Sequence, residues 1–231
     1  MNSFVLAFPL PVSSDAPFTV APTAIIEKDA ESLMIPGCTL PFKVVRKPAS
    51  PGLSDIFKEH QEISAEEASA IDSHKSLLFL LGSLKGPTDL TMVNMAVLKI
   101  LGAGAFGVYM QQCGAAWTAN QFRESLGDAE FPMDPWMNFL EGGDVLYTLG
   151  LETFSLPDLC ISKSMGGAEE LQDILSVVAD ALFVGGVSSK SGTEVDCGEN
   201  GTFALRSEIK NPFAKNDPEY NRQGIMRLVK R

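Results

Sequence analysis

With 45% of its 231 residues apolar and only 20% charged, the chain has enough core material to fold as one domain without disulfides or a metal, and its composition is not that of a disordered protein. A formal net charge of −11 argues against nonspecific nucleic-acid binding, which needs a basic surface to neutralise phosphates. The four cysteines, Cys38, Cys113, Cys160 and Cys197, lie far apart with no CxxC pair, so neither a zinc site nor a disulfide framework is expected, and isolated thiols fit a reducing, cytoplasmic setting.

Residues 4–8, Phe-Val-Leu-Ala-Phe, read as a first strand stopped by Pro9 and Pro11. No basic residue precedes this run, so it is expected to be a strand rather than a signal peptide. Short β-like pieces at 23–27, 32–35 and 42–46, separated by prolines and Gly37, suggest an N-terminal β meander, and 53–60 a short helix. Ser64 and Glu67 have capping-box spacing, which predicts a helix over 65–73. The apolar run 76–81 is too short for a helix and reads as a central strand.

Pro87, Thr88 and Asp89 open a helix whose apolar residues Val93, Ala96, Val97, Ile100 and Leu101 repeat every three or four positions. Gly102 or Gly104 should end it, with a buried strand over 105–111 beyond. Strand, helix and strand with short joins predict a right-handed βαβ unit with parallel strands. The stretch 90–110 is long and apolar, but Asn94, Lys99 and three glycines interrupt it, so no membrane span is expected.

Thr118 and Gln121 form a second capping box, ahead of a short helix ending near Gly127. Segments 136–140 and 145–152 flank the turn residues Gly142, Gly143 and Asp144 and predict an antiparallel hairpin. The clearest helix spans 168–183, where Leu171, Ile174, Leu175, Val178 and Leu182 form one stripe opposite Glu169, Gln172, Asp173 and Asp180. A last hairpin joins 193–197 to 202–209. The end of the chain is basic: Lys210, Lys215, Arg222, Arg227, Lys230 and Arg231 outweigh Asp217 and Glu219, giving 210–231 a charge of +4 against −15 for the rest. This tail, 211–231, reads as peripheral, solvated or lying on the acidic body, with partner docking the sharper alternative.

Several motifs invite a chemical reading. Gly102-Ala-Gly104-Ala-Phe-Gly107 matches GxGxxG, but it follows a helix and opens a strand, whereas a dinucleotide site needs the reverse order to aim helix amides at a pyrophosphate. Cys113-Gly-Ala-Ala-Trp117 resembles the nucleophile segment of papain-like proteases, yet both histidines, His60 and His74, lie upstream of the thiol, so Cys113 reads as a structural cysteine. Two histidines fourteen residues apart offer no metal-binding spacing, and His74 reads as a helix C-terminal residue bonded to the backbone. No catalytic residue, metal ligand or cofactor is therefore assigned. The aromatics Tyr109, Trp117, Trp136 and Tyr147 fall on or beside predicted strands near glycine or proline breaks, and with Gln111 and Gln112 as polar partners they form the candidate binding site, against a reading of ordinary core and rim packing.

The segments His74-Lys-Ser-Leu-Leu-Phe-Leu80, Gly107-Val-Tyr-Met-Gln111 and the stretch from Tyr147 through Ser155, Pro157 and Asp158 to Leu159 are similar to a bacterial family known only as a domain of unknown function. The likeness covers roughly residues 70–210. Met110 stands where tryptophan is common, Ser155 where glycine is common and Asp158 where glutamate is common. The resemblance implies an α+β domain and carries no activity.

The expected fold is a single α+β domain over 1–231: N-terminal strands and loops to residue 60, a core over 61–210 and the basic tail. Its centre is a mixed sheet of about six or more strands on a ferredoxin-like βαββαβ plan, with helices 88–103 and 168–183 on one side of that sheet. The expected function is that of a noncatalytic binding or regulatory module acting on a protein partner. A small-molecule binder or enzyme using the aromatic site near Tyr109 and Trp117 is the alternative, and a self-associating structural protein, a homo-oligomer through an exposed strand edge, is the third.

Overall fold

A computed structural model describes residues 3–208, 211–217 and 220–231; Ile209, Lys210 and Glu219, which belong to the expected last strand and basic tail, lie outside them. Period-two alternation begins at once. Strand β1, Ser3–Leu10, buries Phe4, Leu6, Phe8 and Leu10 on one face. It continues through Pro9, which was expected to stop it; Pro9 pairs with Leu77, and its carbonyl accepts the Phe106 N–H at 2.9 Å. Proline lacks only a donor, so it stays in the sheet where an acceptor suffices.

Strand β1 is the spine of a six-stranded sheet. Strands β4 (Ser32–Leu33), β5 (Phe42–Pro48) and β6 (Ser76–Ser83) lie to one side and β7 (Gly107–Met110) and β8 (Ala115–Thr118) to the other, in the order β4-β5-β6-β1-β7-β8. Both β6 and β7 run antiparallel to β1, so they are parallel to each other, as expected, with β1 inserted between them. Helix α3, Pro87–Gly102, is the crossover. It stops at Gly102, Gly104 turns the chain at φ 105°, and the strand starts at Gly107, so the GxGxxG stretch is a helix end running into a strand. Among the described residues, strands β2 (Phe18–Ala21) and β3 (Ala24–Ile26) pair only with each other, so the N-terminal strands do not form one meander. Helices α1 (Leu53–His60) and α2 (Ala65–Asp72) cover part of the outer face, packing Leu53, Phe57 and Ile71 over Leu77 and Ala116. The expected capping box starts α2: Ser64 Oγ accepts the Glu67 N–H at 3.2 Å and Glu67 Oε2 accepts the Ser64 N–H at 2.8 Å. The second box starts α4, Ala119–Ser125, where Gln121 Oε1 accepts the Thr118 N–H at 3.1 Å.

A second six-stranded sheet follows, in the order β12-β13-β14-β11-β10-β9. Strands β9 (Asn138–Gly142) and β10 (Val145–Leu149) are the expected hairpin. Strand β11, Asp158–Ser162, was not anticipated; it feeds helix α5, Ala168–Phe183, which leads to the hairpin β12 (Glu194–Asp196) and β13 (Thr202–Glu208). The basic end is not peripheral. Ile225–Lys230 forms β14, an interior strand antiparallel to β13 and parallel to β11, with Ile225, Met226 and Leu228 buried.

The chain thus builds two large sheets in place of the single mixed sheet expected, and α3 packs on β7 and β2 while α5 packs on β10 and β11, not on one side of a common sheet. Twelve strands exceed what one twisted open sheet of about ten holds without splitting. The buried faces of both sheets nevertheless belong to one core cluster. Trp136 stands at the junction, edge-on to Phe4 of the first sheet at 5.6 Å and to Phe154 after β10 at 6.5 Å.

Ser155 is the one non-glycine residue in the left-handed region among those described, at φ 60°. Glycine there removes the Cβ conflict but adds freedom to the unfolded chain, so Ser155→Gly is expected to stabilise by roughly 0.5–1 kcal/mol. A raised urea midpoint with unchanged slope checks it.

Candidate functional site

Where α1, β8, β9 and α5 meet, the surface opens into a cleft of about 670 Å³. His60 and Gln61 come from the end of α1, Trp117 from β8, Asp134 from the 3-10 turn Asp134–Trp136, Asn138 and Phe139 from β9, and Gln172, Asp173, Ser176, Val177 and Asp180 from α5. The α5 residues follow from helical periodicity. Positions 172, 173, 176, 177 and 180 fall on one face, opposite the buried stripe Leu171, Ile174, Leu175, Val178 and Leu182. Val177 is 41% exposed on this face, an apolar residue among polar ones.

The cleft is electrostatically one-sided. No lysine or arginine is among the described residues that line it, whereas Asp134, Asp173 and Asp180 are. Burial pushes the Asp180 carboxyl up to about 6, and the neighbouring Asp134 charge adds to the rise. Asp134 is raised by burial, partly offset by the Ser176 hydroxyl and reinforced by Asp173. The opposite wall is aromatic: Trp117 donates its indole N–H to the Pro135 carbonyl at 3.0 Å and meets the His60 ring edge-on at 5.1 Å. Burial lowers the His60 pKa, which favours the neutral ring, and its Nε2 is closed off from solvent without a hydrogen-bond partner among the described residues.

Of the aromatic residues expected to share a site, the structure brings only two near each other. Tyr109 and Trp117 lie on adjacent strands, but Tyr109 pairs with Ala116 and Trp117 with Val108, so they point to opposite faces. Tyr109 lines a neighbouring hollow of about 440 Å³ with Glu59, Gly114 and Asn138, and His60 borders both. Trp136 is 1% exposed and belongs to the core, its indole N–H donated to Asn94 Oδ1 at 2.8 Å. Tyr147 is on the face of the second sheet away from the core, beside Cys160, where burial raises its phenol. Gln111 is exposed past the end of β7, and neither it nor Gln112 lines either hollow.

Cys113 is fully buried, and that burial pushes its thiol up to about 12. His74 does not face it: its Nδ1 bonds the Ile71 carbonyl at 2.7 Å and its Nε2 accepts the Ser50 N–H at 3.1 Å, the backbone role expected of it. Among the described residues no three His, Cys, Asp or Glu side chains are placed to hold a metal ion. The sequence reading missed Asp134, Asp173, Asp180 and His60 as a group. The polar α5 face was legible, but a solvated face and a cleft wall have the same periodicity; the exposed Val177 was the only local sign.

No family model, no curated protein and no solved structure matches this chain.

Proposed function

We propose that this protein is a noncatalytic binding module whose acidic cleft takes basic side chains of a protein partner. One observation carries the reading: three carboxylates, two of them with raised pKa values, line a cleft with an aromatic wall and no lysine or arginine among the described residues that line it. A lysine or arginine inserted there would relieve the carboxylate repulsion and stack on Trp117. We read β6, α3 and β7 around β1 as one half of a ferredoxin-like plan. A small amine held beside Trp117 and His60 is the second reading, favoured by the edge-on contact of those two rings at the cleft wall.

Calorimetric titration with a lysine- and arginine-rich peptide is expected to give saturable binding, weakened about tenfold by Asp180→Asn, since a desolvated charge pair lost is worth about 1.4 kcal/mol or more. The sign of the pH effect follows from the raised carboxyl. Protonation of Asp180 below about 6 removes a negative charge that the ligand needs, so affinity falls from pH 7.5 to pH 5 and Asp180→Asn flattens that fall. Equal affinity for a glutamate-rich peptide, or an Asp180→Asn protein that binds unchanged, refutes the reading.

A further inference from the structure

We infer a second, anion-selective site at the far end of the first sheet, built for a small amphipathic carboxylate. Its origin is a break in strand pairing. Strand β6 is accompanied by β1 up to Ser3↔Ser83, but β5 leaves it after Lys43↔Leu81. Pro41, just before β5, has no N–H to extend the ladder. Gly82 and Ser83 therefore have no strand beside them on the β5 side, and a pocket of about 370 Å³ opens there. That volume is within the range of about 300–1,000 Å³ typical of small-ligand sites.

The pocket has two chemistries. Its floor is hydrocarbon: Phe4 and Phe42, both buried with ring centroids 6.5 Å apart, together with Leu40, Pro41 and Leu81. Gly82 permits this floor, because a Cβ there would come within 2.5 Å of Phe4 Cζ. The rim carries Lys43 and Lys85, both exposed, and neither forms an ion pair with any described residue. Asp89 accepts the Lys85 backbone N–H at 2.9 Å, and Glu31 lies beside Val44 with its carbonyl accepting the Val44 N–H at 3.0 Å; both sit outside the pocket lining. In a chain of net charge −11, two ammonium groups at the rim of an apolar pocket, without an ion pair among the described residues, select an anion with a hydrocarbon body. The site lies apart from the acidic cleft and shares no lining residue with it.

Octanoate, 1-octanol and inorganic phosphate are the probes, titrated into the full chain by calorimetry and followed by the carboxyl carbon resonance of labelled octanoate. Octanoate is expected to bind saturably at one site and at least about tenfold more tightly than octanol or phosphate, with affinity falling as salt rises. The double variant Lys43→Gln/Lys85→Gln, at exposed positions that leave the core intact, is expected to lose about tenfold in octanoate affinity, and Lys190→Gln/Lys215→Gln, which removes the same charge elsewhere, to lose none. Octanol or phosphate binding as well as octanoate, full affinity in the first double variant, or no saturable signal overturns the assignment.

Discussion

Trp136→Ala is expected to cost about 5 kcal/mol, combining the loss and cavity of a large aromatic with an orphaned buried polar partner. The residue joins the two sheets. Its ring meets Phe4 on one side and Phe154 on the other, and its N–H goes to Asn94 Oδ1 on α3, whose amide in turn donates to the Pro132 carbonyl at 3.1 Å. Truncation opens a void where no single element can collapse to fill it and leaves the Asn94 oxygen without a donor at 3% exposure. A loss of that size approaches the whole stability of many domains, about 5–15 kcal/mol. Trp136→Phe keeps much of the packing while removing the donor and part of the ring, so a smaller loss of about 2–3 kcal/mol is expected. Urea unfolding measures both, and an alanine variant within 2 kcal/mol of the parent would show that the sheets do not depend on this junction.

The second large effect concerns pH. Asp158 begins β11 at 4% exposure, and burial pushes its carboxyl up to about 7. Hydrogen bonds from Asn221, the Leu151 N–H at 3.2 Å and the Thr148 hydroxyl at 3.3 Å offset only part of that rise. Between the ordinary value of 3.8 and about 7, the folded protein therefore holds a proton that the unfolded chain has released. Stability rises as pH falls through that window, opposite to the usual behaviour of a paired carboxylate, by about 3 kcal/mol between pH 8 and pH 5. Asp180, at about 6, acts in the same direction. Lowered carboxylates elsewhere, such as Asp72 beside the Ser54 amide and hydroxyl, act in the opposite direction, so the informative quantity is the difference between parent and variant. Asp158→Asn, which keeps an oxygen for the Leu151 N–H, is expected to remove most of that slope and to stabilise the protein at pH 8. Identical pH profiles for parent and variant in urea titrations would mean that Asp158 is ionised without penalty.

Much of the local structure was legible. The Ser64 capping box forms as read, the Thr118 box in its Gln121 half, α5 has the bounds 168–183 read for it, and the hairpin turn at Gly142 and Gly143 joins the strands it was expected to join. Those features depend on neighbours a few positions away, so sequence spacing carries them. Strand β11 was missed because Asp158-Leu-Cys-Ile-Ser162 is a short apolar run with no alternation, buried on both faces. Strand β14 was missed because Arg227, Lys230 and Arg231 made the end of the chain look solvated. Arg227 donates to Glu208 Oε2 at 2.6 Å across the sheet, Arg231 to Glu194 Oε1 at 2.8 Å, and Lys230 lies over the Phe203 ring, so these cations have partners at the surface while Met226 and Leu228 face the core.

The candidate sites divide in the same way. Trp117 is half-buried at the cleft wall and Trp136 lies in the core, although both stand near chain breaks, because exposure of an aromatic depends on which element crosses it. By itself the sequence determined the α+β class, the helices, their caps and the helix-to-strand join at Gly102–Gly107, all consequences of backbone preference and short-range periodicity. Only the tertiary structure decided that the strands split between two sheets, that the last strand lies inside one of them, and that carboxylates on α5 and at residue 134 face Trp117 across a cleft. Those are meetings of residues far apart in the chain, settled by how faces pack and how many strands a twisted sheet can hold, and no local pattern records them.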